Sequence, residues 1–204
     1  MSFGPLEATR RVLREMRNPA VAAVAVFEAL FVALLVVPEN PVAAVTGGAY
    51  TPLIAAFLSA VKLDLVPRGW ELIGLTAGNA LKINLAAAAL VALVIDYPLI
   101  AFAIIGRVVP IGAENRESLV RKLVVAATLL FGAGLAFGYF FLARFFIIAQ
   151  APFFEAASVN PVINATGFYF GAFRATLIVG AVILVSTYAL ISWGRGRSIR
   201  SFRA

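Results

Sequence analysis

The chain has 204 residues, of which 62% are hydrophobic and 13% are charged. Water-soluble domains are roughly half apolar and a quarter charged, so this composition excludes that class and indicates one unit, residues 1–204, embedded in a membrane. The net charge of +7 would indicate nucleic acid in a soluble protein, but in a membrane protein it indicates basic cytoplasmic segments, and no nucleic-acid partner is expected.

The first membrane span is predicted over residues 19–37, after a basic segment, residues 1–18, that has the pattern of a short interfacial helix. Pro38 ends the apolar run. Glu28 lies in its middle, and a carboxylate at that depth is costly unless it faces protein or water, or is protonated. Two interpretations of Glu28 stay open: a polar contact to a partner or substrate, and a neutral acid bonded to a neighbouring helix.

The second span is predicted over residues 83–106, after a long loop rich in Pro and Gly. Within that loop, residues 51–63 form an apolar stretch too short to cross a bilayer, which predicts a short helix. Inside the span, Asp96 precedes Pro98 by two residues, and proline removes a backbone hydrogen bond, so a kink is expected. We expect a polar notch there that meets a peptide or another subunit; the alternative is a solvated acid near a bent helix end.

The third span is predicted over residues 123–149, which carry a single charge, Arg144. As a helix, this segment would extend about 40 Å, more than the roughly 30 Å hydrocarbon core of a bilayer. Gly134 and Gly138 form a small-xxx-small pair, which favours close packing of another helix. The fourth span is predicted over residues 175–193.

The orientation follows from the distribution of basic residues. The N-terminal segment, the loop 107–122 and the tail 195–204 together hold 12 of the 17 Lys and Arg residues, whereas the loop 150–167 holds none. The positive-inside rule then places both termini in the cytoplasm. The predicted fold is an all-α integral membrane protein with four transmembrane helices and an exterior loop that carries short helices.

Several segments, taken in order, resemble the TatC family, the receptor subunit of the twin-arginine protein translocase. The run LLFGAGLAFGYFF at 129–141 resembles the family's third span, and Glu15-Met16-Arg17 resembles the Glu-Leu-Arg before its first span. Pro98 and Pro110, twelve residues apart, are similar to the two prolines of its second span, which implies a helix kink at each. The residues that match in the third span are Phe131, Gly134, Phe137, Tyr139 and Phe140.

The resemblance implies recognition of peptides in the plasma membrane. A twin-arginine signal peptide carries two guanidinium groups, each of which favours a bidentate carboxylate. The carboxylates expected to bind them are Glu15, Glu114 and Glu117, with Arg17 and Arg116 orienting these acids. Glu28 and Asp96 are expected to contact single-span translocase subunits. The other expected partners are the lipid bilayer and further copies of this chain.

The sequence departs from the family in four places. TatC proteins usually have six spans, and four are predicted here. The fourth span lacks the usual buried Glu, and Arg144 replaces the usual Pro of the third span. An ungapped count from Phe131 puts Arg116 where the loop Glu would be, with Glu114 and Glu117 on either side.

Three other classes of protein are alternatives to this interpretation. A small four-span transporter or channel subunit would use Glu28 and Asp96 as a cation or proton path. A membrane enzyme is not expected, because the chain has no Cys, no His and no carboxylates at metal-ligand spacing. No catalytic residue, metal site or cofactor is therefore predicted. A structural scaffold is the fourth class, and no sequence feature excludes it.

Overall fold

In the computed structural model, the described residues are 18–42, 46–48, 50–67, 70–73, 76–109, 115–149, 152 and 162–201. The helical elements in these ranges are α1 (Pro19–Val36), α2 (Leu53–Leu65), α3 (Ala77–Val108), α4 (Arg116–Phe137), a π-helical turn (Gly138–Ala143), α5 (Arg144–Ile148) and α6 (Ala165–Ser201). Two short strands are β1 (Glu71–Ile73) and β2 (Val162–Asn164). The predicted sites Glu15, Arg17, Pro110 and Glu114 lie outside the described residues, as does the predicted N-terminal helix.

Four helical segments in the described part of the chain are long and apolar enough to cross a membrane. They are Pro19–Val36, Ala77–Val108, Arg116–Ile148 and Ala165–Ile183. The predicted all-α membrane fold with four spans is confirmed. The predicted helix in the loop after the first span is also present, as α2, whose buried residues Ile54, Leu58, Val61 and Leu65 recur at helical spacing.

The contacts within the chain divide it into two units, Met1–Ala60 with Asn84–Thr128, and Val61–Ile83 with Leu129–Ala204. In the first unit, α1 begins where the Asn18 side chain accepts a hydrogen bond from the Ala20 N–H at 3.2 Å. At its other end, the Tyr50 hydroxyl donates to the carbonyl oxygen of Val36. Both contacts satisfy backbone groups that have no partner within the helix.

The helix α1 buries little of its surface within the chain, and Ala23 is its one buried residue. Glu28 is exposed at the middle of this helix. Of its two predicted environments, a neutral acid bonded to a neighbouring helix is not observed within the described residues, where the side chain lies on the open surface of α1.

The helix α3 continues through Pro98 without interruption from Ala77 to Val108. Pro98 is exposed, whereas Asp96 is buried. Two residues along an α-helix correspond to a rotation of about 200°, so these side chains lie on opposite faces. The carboxylate and the proline ring therefore do not share a face, and the expected kink at Pro98 and the polar notch beside Asp96 stay predictions.

In the second unit, α6 packs closely on the third candidate span at glycines. A Cβ atom at Gly138 would lie 2.8 Å from Thr176 Cα, and one at Gly134 would lie 2.5 Å from Ile183 Cδ1. From the other side, a Cβ atom at Gly180 would lie 2.9 Å from a ring carbon of Phe131. Small residues allow two membrane helices to approach in this way.

The strands β1 and β2 pair in parallel in the second unit, with Glu71 opposite Val162 and Ile73 opposite Asn164. The same Asn164 begins α6, because its Oδ1 accepts a hydrogen bond from the Thr166 N–H at 2.9 Å. Sequence reasoning did not predict these strands, since three residues are too few to show an alternating pattern.

Candidate functional site

A groove of about 710 Å³ lies in the first unit, where the end of α3 meets the start of α4 and the start of α1. It is lined by Pro19, Phe102, Ala103, Gly106, Arg107, Arg116, Glu117, Val120, Arg121, Val124 and Val125. This volume is in the range of small-ligand pockets, about 300–1,000 Å³. We call it the hairpin groove, after the two helices that form most of it.

The chain enters α4 through Asn115, whose φ of 54° is the left-handed conformation that Asn tolerates better than most residues. Arg116 follows, and its Nη2 atom donates to the Gly106 carbonyl oxygen at 2.6 Å. A longer contact at 3.5 Å joins its Nε atom to the Val109 carbonyl oxygen. The last carbonyl groups of a helix lack partners and carry partial negative charge, so Arg116 caps α3.

This capping is a role of Arg116 that the sequence did not predict. The hydrogen bonds described for its guanidinium go to backbone carbonyl groups and not to a carboxylate. Glu117 is exposed in the first turn of α4, where a negative charge is favoured by the helix dipole. The structure thus brings two of the five predicted peptide-binding residues, Arg116 and Glu117, to one groove.

Two further residues of the groove were not predicted as site residues. Arg107 is in the last turn of α3, and Arg121 is one turn beyond Glu117 on α4; both are exposed. A sequence signal for Arg121 exists, since positions 117, 120, 121 and 124 share one helix face. For Arg107 the only signal is its place in a basic segment, because its proximity to α4 depends on how the two helices pack.

Positive charges outnumber negative charges in the described lining of the groove. Its described lining holds three guanidinium groups, from Arg107, Arg116 and Arg121, and one carboxylate, from Glu117, so these four groups sum to +2. An incoming pair of arginines would be repelled by this balance unless other negative charges were present. An anionic group would be attracted.

Much of the groove's lining is apolar, and we call its accessible apolar residues Phe102 and Val125 the apolar floor. Phe102 and Val125 keep 46% and 53% of their surfaces exposed, and Val120 is buried between the charged positions. Apolar side chains that remain accessible beside charged ones provide a surface for an amphipathic ligand. The groove can therefore accept a ligand with a charged end and a hydrocarbon part.

The two intramembrane acids lie in different surroundings. Asp96 is 1% exposed, and neither of its carboxylate oxygens has a hydrogen-bond partner in the structure. Asn84 Oδ1 and Thr128 Oγ1 are also buried without partners. Glu28 is exposed on α1. Neither acid lines the hairpin groove, and the described ranges contain no group of three or more acidic side chains that could hold a metal ion.

Comparison with known proteins identifies one family and one solved structure that are similar to this chain. The family described as TatC, Sec-independent protein translocase protein, matches residues 11–192. A solved structure titled "Crystal Structure of Twin Arginine Translocase Receptor- TatC" superposes with a TM-score of 0.59 at 18% sequence identity, and the match covers 87% of this chain and 72% of that one. The search of curated proteins finds no match.

Proposed function

Because this chain belongs to the TatC family of Sec-independent protein translocase proteins and so is a translocase component, we propose that it binds twin-arginine signal peptides at the hairpin groove. In this role it recognises folded preproteins and supports their transport across the membrane, without catalysing a reaction. We place it in the plasma membrane with both termini in the cytoplasm, since twelve of its 17 basic residues then face that side.

The observation that carries the proposal is the position of Glu117 beside an accessible apolar floor. A carboxylate accepts two parallel hydrogen bonds from a guanidinium, which gives geometric selectivity for Arg over Lys. The apolar part of a signal peptide would pack on Phe102 and Val125, which are accessible in the same groove. One site would thus bind both parts of the peptide.

One carboxylate is not sufficient for two arginines. Glu15 and Glu114 remain our proposed additional acceptors, because they flank the groove in sequence, before Pro19 and before Arg116. Arg17 is proposed to orient Glu15. Arg116, which caps α3, would act indirectly by holding the start of α4, and hence Glu117, in place.

The partner subunits require a different surface. We propose that Glu28 contacts a single-span translocase subunit, because it is an exposed carboxylate at the middle of a mostly uncovered helix, where lipid alone would leave it poorly solvated. Asp96 is enclosed by its own chain, so a partner would reach it only if the surrounding helices separated. Association with further copies of the chain is part of the same proposal.

The test is capture of a twin-arginine signal peptide by the purified full chain, with the Lys-Lys peptide as the competitor. We expect Arg-Arg-selective capture by the parent chain. Glu117→Gln should reduce the selectivity about tenfold, as expected for loss of one charge-assisted contact, and Glu114→Gln/Glu117→Gln should abolish it.

The matched control is Glu39→Gln, which neutralises an exposed glutamate outside the groove. Capture by this variant should equal capture by the parent chain. Equal capture of both peptides by the parent chain, or equal losses in Glu117→Gln and Glu39→Gln, would contradict the proposed receptor site. Flux of protons or cations through the chain alone would instead favour the transporter interpretation.

A further inference from the structure

The hairpin groove combines features that a peptide receptor for arginine does not need. Arg107 and Arg121 line the groove and are exposed, and they give its described lining a net positive charge even with Glu117 counted. Arg116 is already bound to carbonyl groups at the end of α3, so Arg107 and Arg121 are the cations that the described lining offers to a ligand. A surface of this charge favours an anion.

The groove also lies at a boundary between polar and apolar segments. Arg107 follows the long apolar part of α3, and Arg121 and Lys122 precede the apolar part of α4. Phe102 and Val125, which line the same groove, are accessible. Basic pockets between membrane helices at the cytoplasmic side are where anionic lipid headgroups bind.

We propose that the hairpin groove binds one anionic phospholipid. Its phosphate would be bound by Arg107 and Arg121, and the first part of an acyl chain would pack along Phe102, Val124 and Val125. Charge complementarity specifies the headgroup, and the accessible apolar floor specifies a lipid in preference to free phosphate, which would leave that floor exposed to water.

The bound lipid would change the electrostatics of the groove. Its phosphate would offset the charge of Arg107 and Arg121, so that the arginines of a peptide would meet the carboxylate of Glu117 without net repulsion. This second step rests on the proposed receptor function. Lipid binding itself does not, because it depends on the arginines and the apolar floor alone.

The experiment measures lipid retention by the full chain. The protein is reconstituted in bilayers of equal phosphatidylglycerol and phosphatidylcholine, extracted in mild detergent, and the lipids that remain bound are counted by native mass spectrometry. We expect one phosphatidylglycerol to be retained in preference to phosphatidylcholine. Arg107→Gln/Arg121→Gln should lower its affinity about 30-fold, because two basic contacts are lost.

The matched control is Lys122→Gln/Arg144→Gln, which also removes two positive charges, but at exposed positions outside the groove. This variant should retain phosphatidylglycerol as the parent chain does. Equal retention by both double variants would overturn the proposal, as would equal retention of the two lipids. Displacement of the lipid by millimolar inorganic phosphate would also overturn it, since it would identify a simple anion site.

A separate readout keeps the two proposals distinguishable. Arg-Arg peptide capture is measured in detergent with and without added phosphatidylglycerol. Capture that is unaffected by the lipid, in a chain that retains it, would contradict the coupling but not the lipid site. Absence of capture, in a chain that retains the lipid, would contradict the receptor function alone.

Discussion

The Nη2 atom of Arg116 lies 2.6 Å from the carbonyl oxygen of Gly106, and this hydrogen bond joins the first residue of α4 to the last turn of α3. It does two things at once. It satisfies a backbone carbonyl at the end of a helix, and it sets where α4 begins relative to α3. Glu117, the next residue, depends on this bond for its position in the groove.

Arg116→Ala should lower the free energy of unfolding by about 1.5–3 kcal/mol, the usual contribution of a hydrogen bond to a charged group. Arg116→Lys should recover less than half of the loss, because Lys lacks the planar fork of the guanidinium. Unfolding of the purified protein by SDS in mixed micelles measures the difference. Arg121→Ala, which removes an exposed arginine of the same groove, is the control, and an equal loss there would contradict the capping role.

Three glycines of the third candidate span should respond differently to alanine. Gly138→Ala should destabilise the protein by about 1–3 kcal/mol, because its Cβ would meet the Thr176 backbone at 2.8 Å. Gly134→Ala should cost less, since the contacting atom is the end of the Ile183 side chain, which can move. A Cβ atom at Gly132 would meet no atom within 4 Å, so Gly132→Ala should be neutral, or stabilising because Ala has a higher helix propensity than Gly. Thermal unfolding in detergent gives the ranking, and a different order would contradict the packing.

Asn164 has a structural role that its position in an Asn-Ala-Thr triplet does not indicate. Because its side chain accepts a hydrogen bond from the Thr166 N–H, Asn164→Ala should lower the stability of the start of α6 by about 1 kcal/mol. Asn164→Asp should retain most of this stability, since Asp is an equally good N-cap residue. Amide hydrogen exchange over residues 165–170 is the measurement. Protection that is the same in all three proteins would show that the cap contributes nothing.

Asp96 should be dispensable for stability, which is unusual for a buried polar residue. Both of its oxygens are buried without hydrogen-bond partners in the structure, and such burial costs about 1–3 kcal/mol. Asp96→Asn is therefore expected not to lower the free energy of unfolding. SDS titration of the parent and variant proteins tests this. A loss above about 1 kcal/mol would reveal a favourable interaction of the carboxylate, such as a bound cation.

Peptide capture at Glu117 should depend on salt, because the carboxylate is exposed. Raising the ionic strength from 0.1 M to 1 M shortens the screening length from about 10 Å to about 3 Å. The affinity for the Arg-Arg peptide should fall severalfold over this range, while the affinity for the Lys-Lys peptide should stay low throughout. Affinity that is constant with salt would mean that apolar contacts dominate and that Glu117 contributes little.

Sequence reasoning could predict the membrane class and the spans because hydrophobic length is a local property. An apolar run of about 20 residues has few alternatives in a chain that must satisfy its backbone hydrogen bonds in lipid. The resemblance of residues 129–141 to one family's third span likewise depends on local spacing. Four candidate spans among the described residues confirm the helical membrane class, and a family match over residues 11–192 confirms the family.

The sequence by itself therefore determined the helical membrane class, the family and the four candidate spans that the described residues contain. Tertiary structure decided the environment of each polar group. Glu28 and Asp96 look alike in sequence, yet one is exposed and the other enclosed, because helix rotation within the fold depends on packing partners far away in the chain. Arg116 caps α3, a contact that the sequence did not predict, because the fold brings the Gly106 carbonyl within reach of its guanidinium. The net positive charge of the hairpin groove has the same origin, because it sums side chains from two helices.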